Sequence, residues 1–323
     1  MNLKHATRFI KAVPMMAATM PIMKSVHVYD GRIQIGNLNV AVDIAHKPFA
    51  GMEFTAPLDQ FMAAANACGD AEPSIAVDPE ALKMTVRHKS FKATMPLYVH
   101  DNYPRLPAPT FSKKAEGVKI VDTLKMLKPF AGNPGVAIHH WQNGICFRDG
   151  YAYATNNASV VRVELPLGID REVTVNLDMI DTITAIGEEP DAISIDENFV
   201  AFHYHSGAWI RCRLIENGWP HSIDDLLNSK PAQDPVPEGL LDSLTRMAPF
   251  TKEDAVTGGP NGVSTEEHDS MARDEDFKLP ACAYKMSELI DVLKVADRFD
   301  FSKYPNSPWS GPGVRGITAG RRL

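Results

Sequence analysis

The sequence predicts an α+β protein built from tandem copies of one domain, each running helix, strands, helix, strands. Two observations carry this. DGRIQIGNLNVAVDI at Asp30–Ile44 and DGYAYATNNASVVRVEL at Asp149–Leu165 are related, and each is followed by a second related passage, FTAPLDQFMAAANA and VTVNLDMIDTITAI. Gly31 and Gly150, Asn37 and Asn156, Thr55 and Thr174, Leu58 and Leu177, and Asp59 and Asp178 all stand 119 positions apart without a gap. Solenoid units run roughly 20–50 residues, so this period is that of a whole domain.

In the first copy, Leu3–Val13 has helical spacing, with Leu3, Phe9, Ile10 and Val13 for the core. Lys4, Arg8 and Lys11 share the opposite face. Ser25–Tyr29, Arg32–Ile35 and Val40–Ile44 alternate as strands around an Asp-Gly turn. Pro57 is expected to open a helix that runs to Cys68 and stops at Gly69. Strands at Ala81–Arg87 and Phe91–Pro96 flank His88-Lys89-Ser90. Pro107–Gly117 reads as a linker.

The second copy repeats the order. A short helix is expected over Asp122–Phe130, carrying Lys125 and Lys128. Strands follow at Val136–Trp141, Gly144–Arg148, Ala152–Thr155 and Val160–Leu165, a helix at Leu177–Ile186, and strands at Ala192–Ile195, Phe199–His205 and Ala208–Leu214. After Ile223 the pattern weakens. Glu238–Phe250, with Arg246, and Ala283–Arg298 are helix candidates, Val314–Ala319 a last strand, and Thr251–Asp276 a loop without strands. The expected domains are 1–112, 113–225 and a degenerate third copy, 226–323.

Composition excludes some classes. Hydrophobic residues make up 44% and charged residues 23%, the balance of a soluble globular protein. No run reaches the roughly 18–20 apolar residues of a bilayer span. Ala12–Met23, interrupted by Pro14 and Pro21, reads as structure and not as a signal peptide. Cys68, Cys146, Cys212 and Cys282 form no CxxC, which fits buried thiols in a reducing, cytoplasmic setting. A net charge of −7 argues against bulk attraction to nucleic acid but allows one basic face.

The residues FRDGYAYATNNASVVRVELP at Phe147–Pro166, VTVNLDMI after them, NFVAFHYHSGAWIRCRLIENGWP at Asn198–Pro220 and the terminal RRL resemble the bacterial-type DNA polymerase sliding clamp, the beta subunit family. The family's GHR triplet is Asn157-Ala158-Ser159 here, and its apolar tail residues are Ala319-Gly320-Arg321. Such divergence suits a phage-encoded clamp. The resemblance implies a DNA clamp fold with inner helices backed by outer antiparallel sheets. It further implies a closed ring around duplex DNA, a non-catalytic processivity role, a polymerase tethered through a peptide, and a clamp loader.

A ring that slides needs a positive inner wall that meets phosphates and reads no bases. The candidates for that wall are Lys4, Arg8, Lys11, Lys125, Lys128, Arg246, Lys285, Lys294 and Arg298. The partner-peptide pocket implied by the resemblance comprises Cys146, Thr155, Asn157, Val160, Pro220, Ala319, Arg321, Arg322 and Leu323. No cofactor, metal or catalytic residue is expected. TGGPNG at Thr257–Gly262 lacks the ending of a phosphate loop and reads as a flexible loop. Three domains per chain favour a dimeric ring. A two-domain clamp closing as a trimer, with an accessory extension after Ile223, is the first alternative. A metal-dependent β-fold enzyme using His139, His140, His203 and His205 is the second.

Overall fold

The computed structural model describes residues 3–14, 21–37, 39–99, 107–109, 113–115, 117–132, 139–216, 218–228, 232–267 and 270–322. They form two compact units, Met1–Asp122 with Val175–Leu214, and Thr123–Thr174 with Ile215–Leu323. The helices are α1 (Leu3–Ala12), α2 (Leu58–Cys68), α3 (Ile120–Leu127), α4 (Leu177–Ile186), α5 (Ser222–Asn228), α6 (Leu240–Met247) and α7 (Met286–Leu293). The division between units falls inside α3 and inside the strand Val173–Asn176.

The first unit is organised on an eight-stranded antiparallel sheet. Its order is Glu53–Pro57, Ser25–Tyr29, Arg32–Gly36, Val40–Ala45, Trp209–Arg213, Phe199–His203, Ala192–Ile195 and Lys113–Lys114. Strand alternation puts Val26, Val28, Ile33, Ile35, Val42, Ile44 and Phe54 together on one buried face. The join is the ladder Val42↔Ile210 and Val40↔Cys212, so strands of both sequence copies share one sheet. Helix α1 packs on α2 and α4. A three-stranded sheet, Ser74–Asp78, Lys83–His88 and Phe91–Pro96, completes the unit.

The second unit repeats the scheme. Its seven-stranded sheet runs Val173–Asn176, Gly144–Arg148, Tyr151–Thr155, Ser159–Glu164, Val314–Ala319, Asn306–Gly311 and Arg298–Phe299, joined through Val161↔Gly316 and Val163↔Val314. A four-stranded sheet runs Ser270–Asp274, Gly262–Glu267, Ala255–Gly259 and Cys282–Lys285, and α6 packs on α7.

The duplicated sequence becomes duplicated geometry. Asp30 and Gly31 take φ of 41° and 75°, and Asp149 and Gly150 take 51° and 78°, the paired left-handed conformations of a tight hairpin turn. The Asn37 side-chain oxygen accepts from the amides of Asn39 and Val40, and Asn156 does the same with Ala158 and Ser159. A third occurrence emerges in the helices. The sequence IVDTLKMLKPF folds as α3 followed by a 3-10 turn at Lys128–Phe130; LLDSLTRMAPF, 120 residues on, folds as α6 followed by a 3-10 turn at Ala248–Phe250.

Several expectations change. Residues 251–276 are not a loop: Ala255–Gly259, Gly262–Glu267 and Ser270–Asp274 are strands, and the TGGPNG run is largely hairpin. Their burial alternates through Val256, Val263 and Thr265, a period obscured by glycines and acids between them. The helix expected over Ala283–Arg298 occupies only Met286–Leu293, because Cys282–Lys285 pairs with Ala255–Gly258 and Arg298 lies in a strand. Pro57 ends a strand and caps α2, which begins at Leu58, one residue later than expected. The linker holds the strand Lys113–Lys114. Of the strand expected at Val136–Trp141, residues 136–138 lie outside the described residues, and His140–Asn143 is a 3-10 turn. Strands at Glu53–Pro57, Ser74–Asp78 and Asn306–Gly311, and helix α5, were not anticipated.

Candidate nucleic-acid interface and partner site

Helix α1 forms because Leu3, Ala6, Phe9 and Ile10 recur at helical spacing and bury one face; Phe9 meets the Tyr204 ring edge-on at 5.0 Å. Burying such a side chain is worth roughly 1.5–3 kcal/mol. Lys4, Arg8 and Lys11 are left exposed together, as their spacing implies. Lys4 Nζ lies 2.8 Å from Asp70 and Arg8 Nη1 3.0 Å from Glu188, while Lys11 has no acidic partner among the described residues.

The remaining cations belong to the second unit and do not form a helical stripe. Lys125 is exposed on α3, and Lys128 is exposed in the 3-10 turn after it. Arg246 on α6 lies 3.8 Å from Asp274, whose carboxyl is held below its ordinary pKa by the Ser243 hydroxyl, the Asp276 amide and the Arg246 charge. Lys285 is the last residue of a strand and the cap of α7, beside Glu288 at 3.5 Å. Lys294 caps the other end of α7 and pairs with Asp291 at 2.7 Å. Arg298 donates from its strand to the Gln233 carbonyl at 2.6 Å. The helical placement expected for Lys285 and Arg298 is therefore corrected: their segments pair in sheets, and sheet pairing overrode the helical pattern.

The expected pocket residues separate into groups. Cys146 lies in a buried apolar cluster with Tyr153, Trp219, Ile223 and Leu227, against which Val160, Trp141, Tyr151 and Ile317 pack partly buried. This is the face of the seven-stranded sheet opposite Val161 and Phe147. Trp219 is sandwiched there, 4.8 Å from the Trp141 ring and 6.0 Å from that of Tyr153. Thr155 is buried and donates to the Ser159 carbonyl at 2.8 Å. Asn157 takes φ of 71° and accepts from Gln142. The Pro220 carbonyl starts α5 by accepting from Ile223. The Ala319 amide donates to Ala158, but Arg321 bonds to the carbonyls of Ala283 and Glu253. Arg322 is exposed, and Leu323 lies outside the described residues.

One anchor was not legible beforehand. Arg148 is 2% exposed; it donates to Glu172 at 3.0 Å and to Asp224 of α5, and lies 4.8 Å over the Tyr153 ring. Burial works against its charge, but bonds to Glu172 and Tyr153 and the Asp224 charge outweigh it and raise its pKa. Glu172 also accepts from the Trp219 amide at 2.6 Å, so one carboxylate fastens both Arg148 and the tryptophan backbone. The available sign was the alternation itself: Cys146, Arg148, Tyr151 and Tyr153 share a strand face that a solvent-facing reading leaves too aromatic.

The histidines have ordinary surroundings. His139 stacks on Trp141, the His203 ring bonds to the Ser194 hydroxyl at 2.6 Å, and His205 is exposed. Among the described residues, no helix is long and apolar enough to cross a membrane.

No family model and no curated relative matches the sequence. Solved structures do match the fold. The DNA polymerase III beta subunit of Thermotoga maritima is similar with a TM-score of 0.79 at 14% identity, covering 100% of this chain and 97% of that one. The sliding clamp of Pseudomonas aeruginosa gives 0.76 at 13%, covering 99% and 97%. The DNA polymerase beta subunit of Streptococcus pyogenes gives 0.77 at 12%, covering 99% and 97%. The chain has the sliding-clamp fold over its full length.

Proposed function

We propose that this chain is a DNA polymerase processivity factor: two copies join head to tail into a ring around duplex DNA, and the ring tethers a polymerase. One observation carries the reading. Twice, a four-stranded half-sheet continues into the last strands of the following repeat, at Val40–Ala45 with Trp209–Arg213 and at Ser159–Glu164 with Val314–Ala319. Once, a four-stranded half ends unpaired at Ser270–Asp274, and once a three-stranded half ends unpaired at Phe91–Pro96, among the described residues. These two leftovers are the two components of a third junction, which one copy lacks and two copies supply.

Heterologous contacts of this kind close into a ring when the rotation fits. Transferring the register of Val163↔Val314 places Asp274 of one copy opposite Phe91 of the other, and Ala272 opposite Ala93. Met271, on the open strand Ser270–Asp274, is a large apolar side chain 62% exposed. Three copies, residues 1–112, 113–225 and 226–323, are favoured over two copies with an extension by the match between α3 and α6. The partner peptide would seat on Trp141, Tyr151, Val160 and Ile317, the partly buried rim of the apolar cluster. In this reading the chain is non-catalytic and cytoplasmic and is opened by a clamp loader; its departures from the family motif support a phage origin.

Light scattering at micromolar concentration is expected to give twice the 35.5 kDa chain mass. Protein loaded by its cognate loader should stay on nicked circular DNA and run off once the circle is cut. A monomer that leaves circular and linear DNA equally fast sinks the proposal.

A further inference from the structure

Two of the three cations on α1 are already occupied by carboxylates. Lys4 Nζ lies 2.8 Å from Asp70 Oδ1, and Arg8 Nη1 3.0 Å from Glu188 Oε1, which is also 3.2 Å from His5 Nε2. The two acids stand at the same place in the fold. Each directly follows the glycine that ends a helix, Gly69 (φ 63°) after α2 and Gly187 (φ 65°) after α4, and α1 packs against both helices. A Cβ at Gly187 would come within 3.4 Å of Arg8 Nη2, so the guanidinium lies directly over that helix end.

A carboxylate just beyond a helix C-terminus faces the negative end of the helix dipole, which disfavours it. Exposed ion pairs contribute little to stability, so fastening α1 is a weak reason to place two acids there. Carboxylate and phosphate oxygens accept the same charge-assisted hydrogen bonds from Lys and Arg. We propose that Asp70 and Glu188 are internal phosphate surrogates. They hold Lys4 and Arg8 in the absence of DNA and yield them to backbone phosphates when duplex is present, which keeps each contact weak enough for the ring to slide. This inference rests on α1 facing DNA. Lys11, without an acid among the described residues, marks the contact that needs no exchange.

The test uses the full chain with D70N, E188Q and the double variant, and a fluorescent 30-base-pair duplex followed by anisotropy over a salt series. Removing both acids is expected to tighten binding about tenfold at low salt and to steepen the dependence of log K on log salt by up to roughly two contacts' worth. On an R8A background, E188Q should gain nothing, which separates release of Arg8 from a general charge effect. If the acid variants, with unchanged melting temperatures, leave affinity and slope where they were while K11A weakens binding, the surrogate role is wrong and the DNA reading stands. If K11A and R8A also change nothing, the DNA reading fails and the surrogate role falls with it.

Discussion

Strands Ser159–Glu164 and Ser270–Asp274 end four-stranded halves of the same internal order, yet the first continues into a neighbour and the second has none among the described residues. Val160 in the first is half-buried against the apolar cluster; Met271, its counterpart in the second, is 62% exposed. Helix α5 covers one face of the first sheet and is anchored at Arg148. The corresponding last strand residue of the second is Gly259, around which a Cβ would meet open space. An uncovered edge offers a row of amides and carbonyls to any strand that arrives. The difference teaches that the same repeat can be continued by a strand of the next repeat or end in a strand that has no further partner among the described residues.

The comparison can be broken most severely at the covered strand. Val161→Asp buries a carboxylate in a fully apolar site and is expected to cost about 4 kcal/mol or more, abolishing the cooperative melting of the second unit by circular dichroism. Arg148→Ala comes next, because it leaves Glu172 and Asp224 facing each other without their cation. A loss of about 3–5 kcal/mol is expected, with altered fluorescence of Trp141 and Trp219 as α5 loosens. Met271→Pro, on the open edge, should leave the melting temperature within about 2–4 °C of the parent and weaken self-association at least about 100-fold by sedimentation. If Met271→Pro instead unfolds the protein as Val161→Asp does, the two strands are equivalent and the contrast is wrong.

Cysteine reactivity gives a finer reading. Burial pushes the Cys212 thiol up to about 12 and that of Cys282 up to about 11. Iodoacetamide at pH 8 should therefore leave both unmodified in the native protein, and as pH rises Cys282 of the open-edged sheet should label before Cys212. The smallest effect concerns His203, whose pKa is lowered by burial, against a weaker raising influence of Asp191. Because the unfolded chain then binds the proton more readily, this contribution is complete above the ordinary value of 6.5 and is lost as pH falls below it. His203→Gln should flatten that part of the stability–pH curve by no more than about 1 kcal/mol.

The legible parts of this fold are those written over short spans. Helix α1, the Asp-Gly turns, α4 and most strands of the first two copies follow from periodicity and turn chemistry within a dozen residues. The strands at 255–274 were illegible because glycine and paired acids mask their period, and Cys282–Lys285 looked helical until its partner strand claimed it. The apolar patch was half legible: Cys146 and Val160 were named and Arg148 shares a strand face with Cys146, but Trp219 reaches it only because the segment leading into α5 folds back. Arg321 was placed in that patch by position, yet its bonds go to Ala283 and Glu253.

The sequence by itself determined that one domain recurs, where its turns fall, and that Lys4, Arg8 and Lys11 share a helix face, since these are consequences of local spacing. Only the tertiary structure decided which half-sheets join within the chain and which have no further partner among the described residues. It alone brought Glu188 to Arg8 across 180 positions, because strand pairing and ion pairing depend on where distant segments come to lie and leave no period to read.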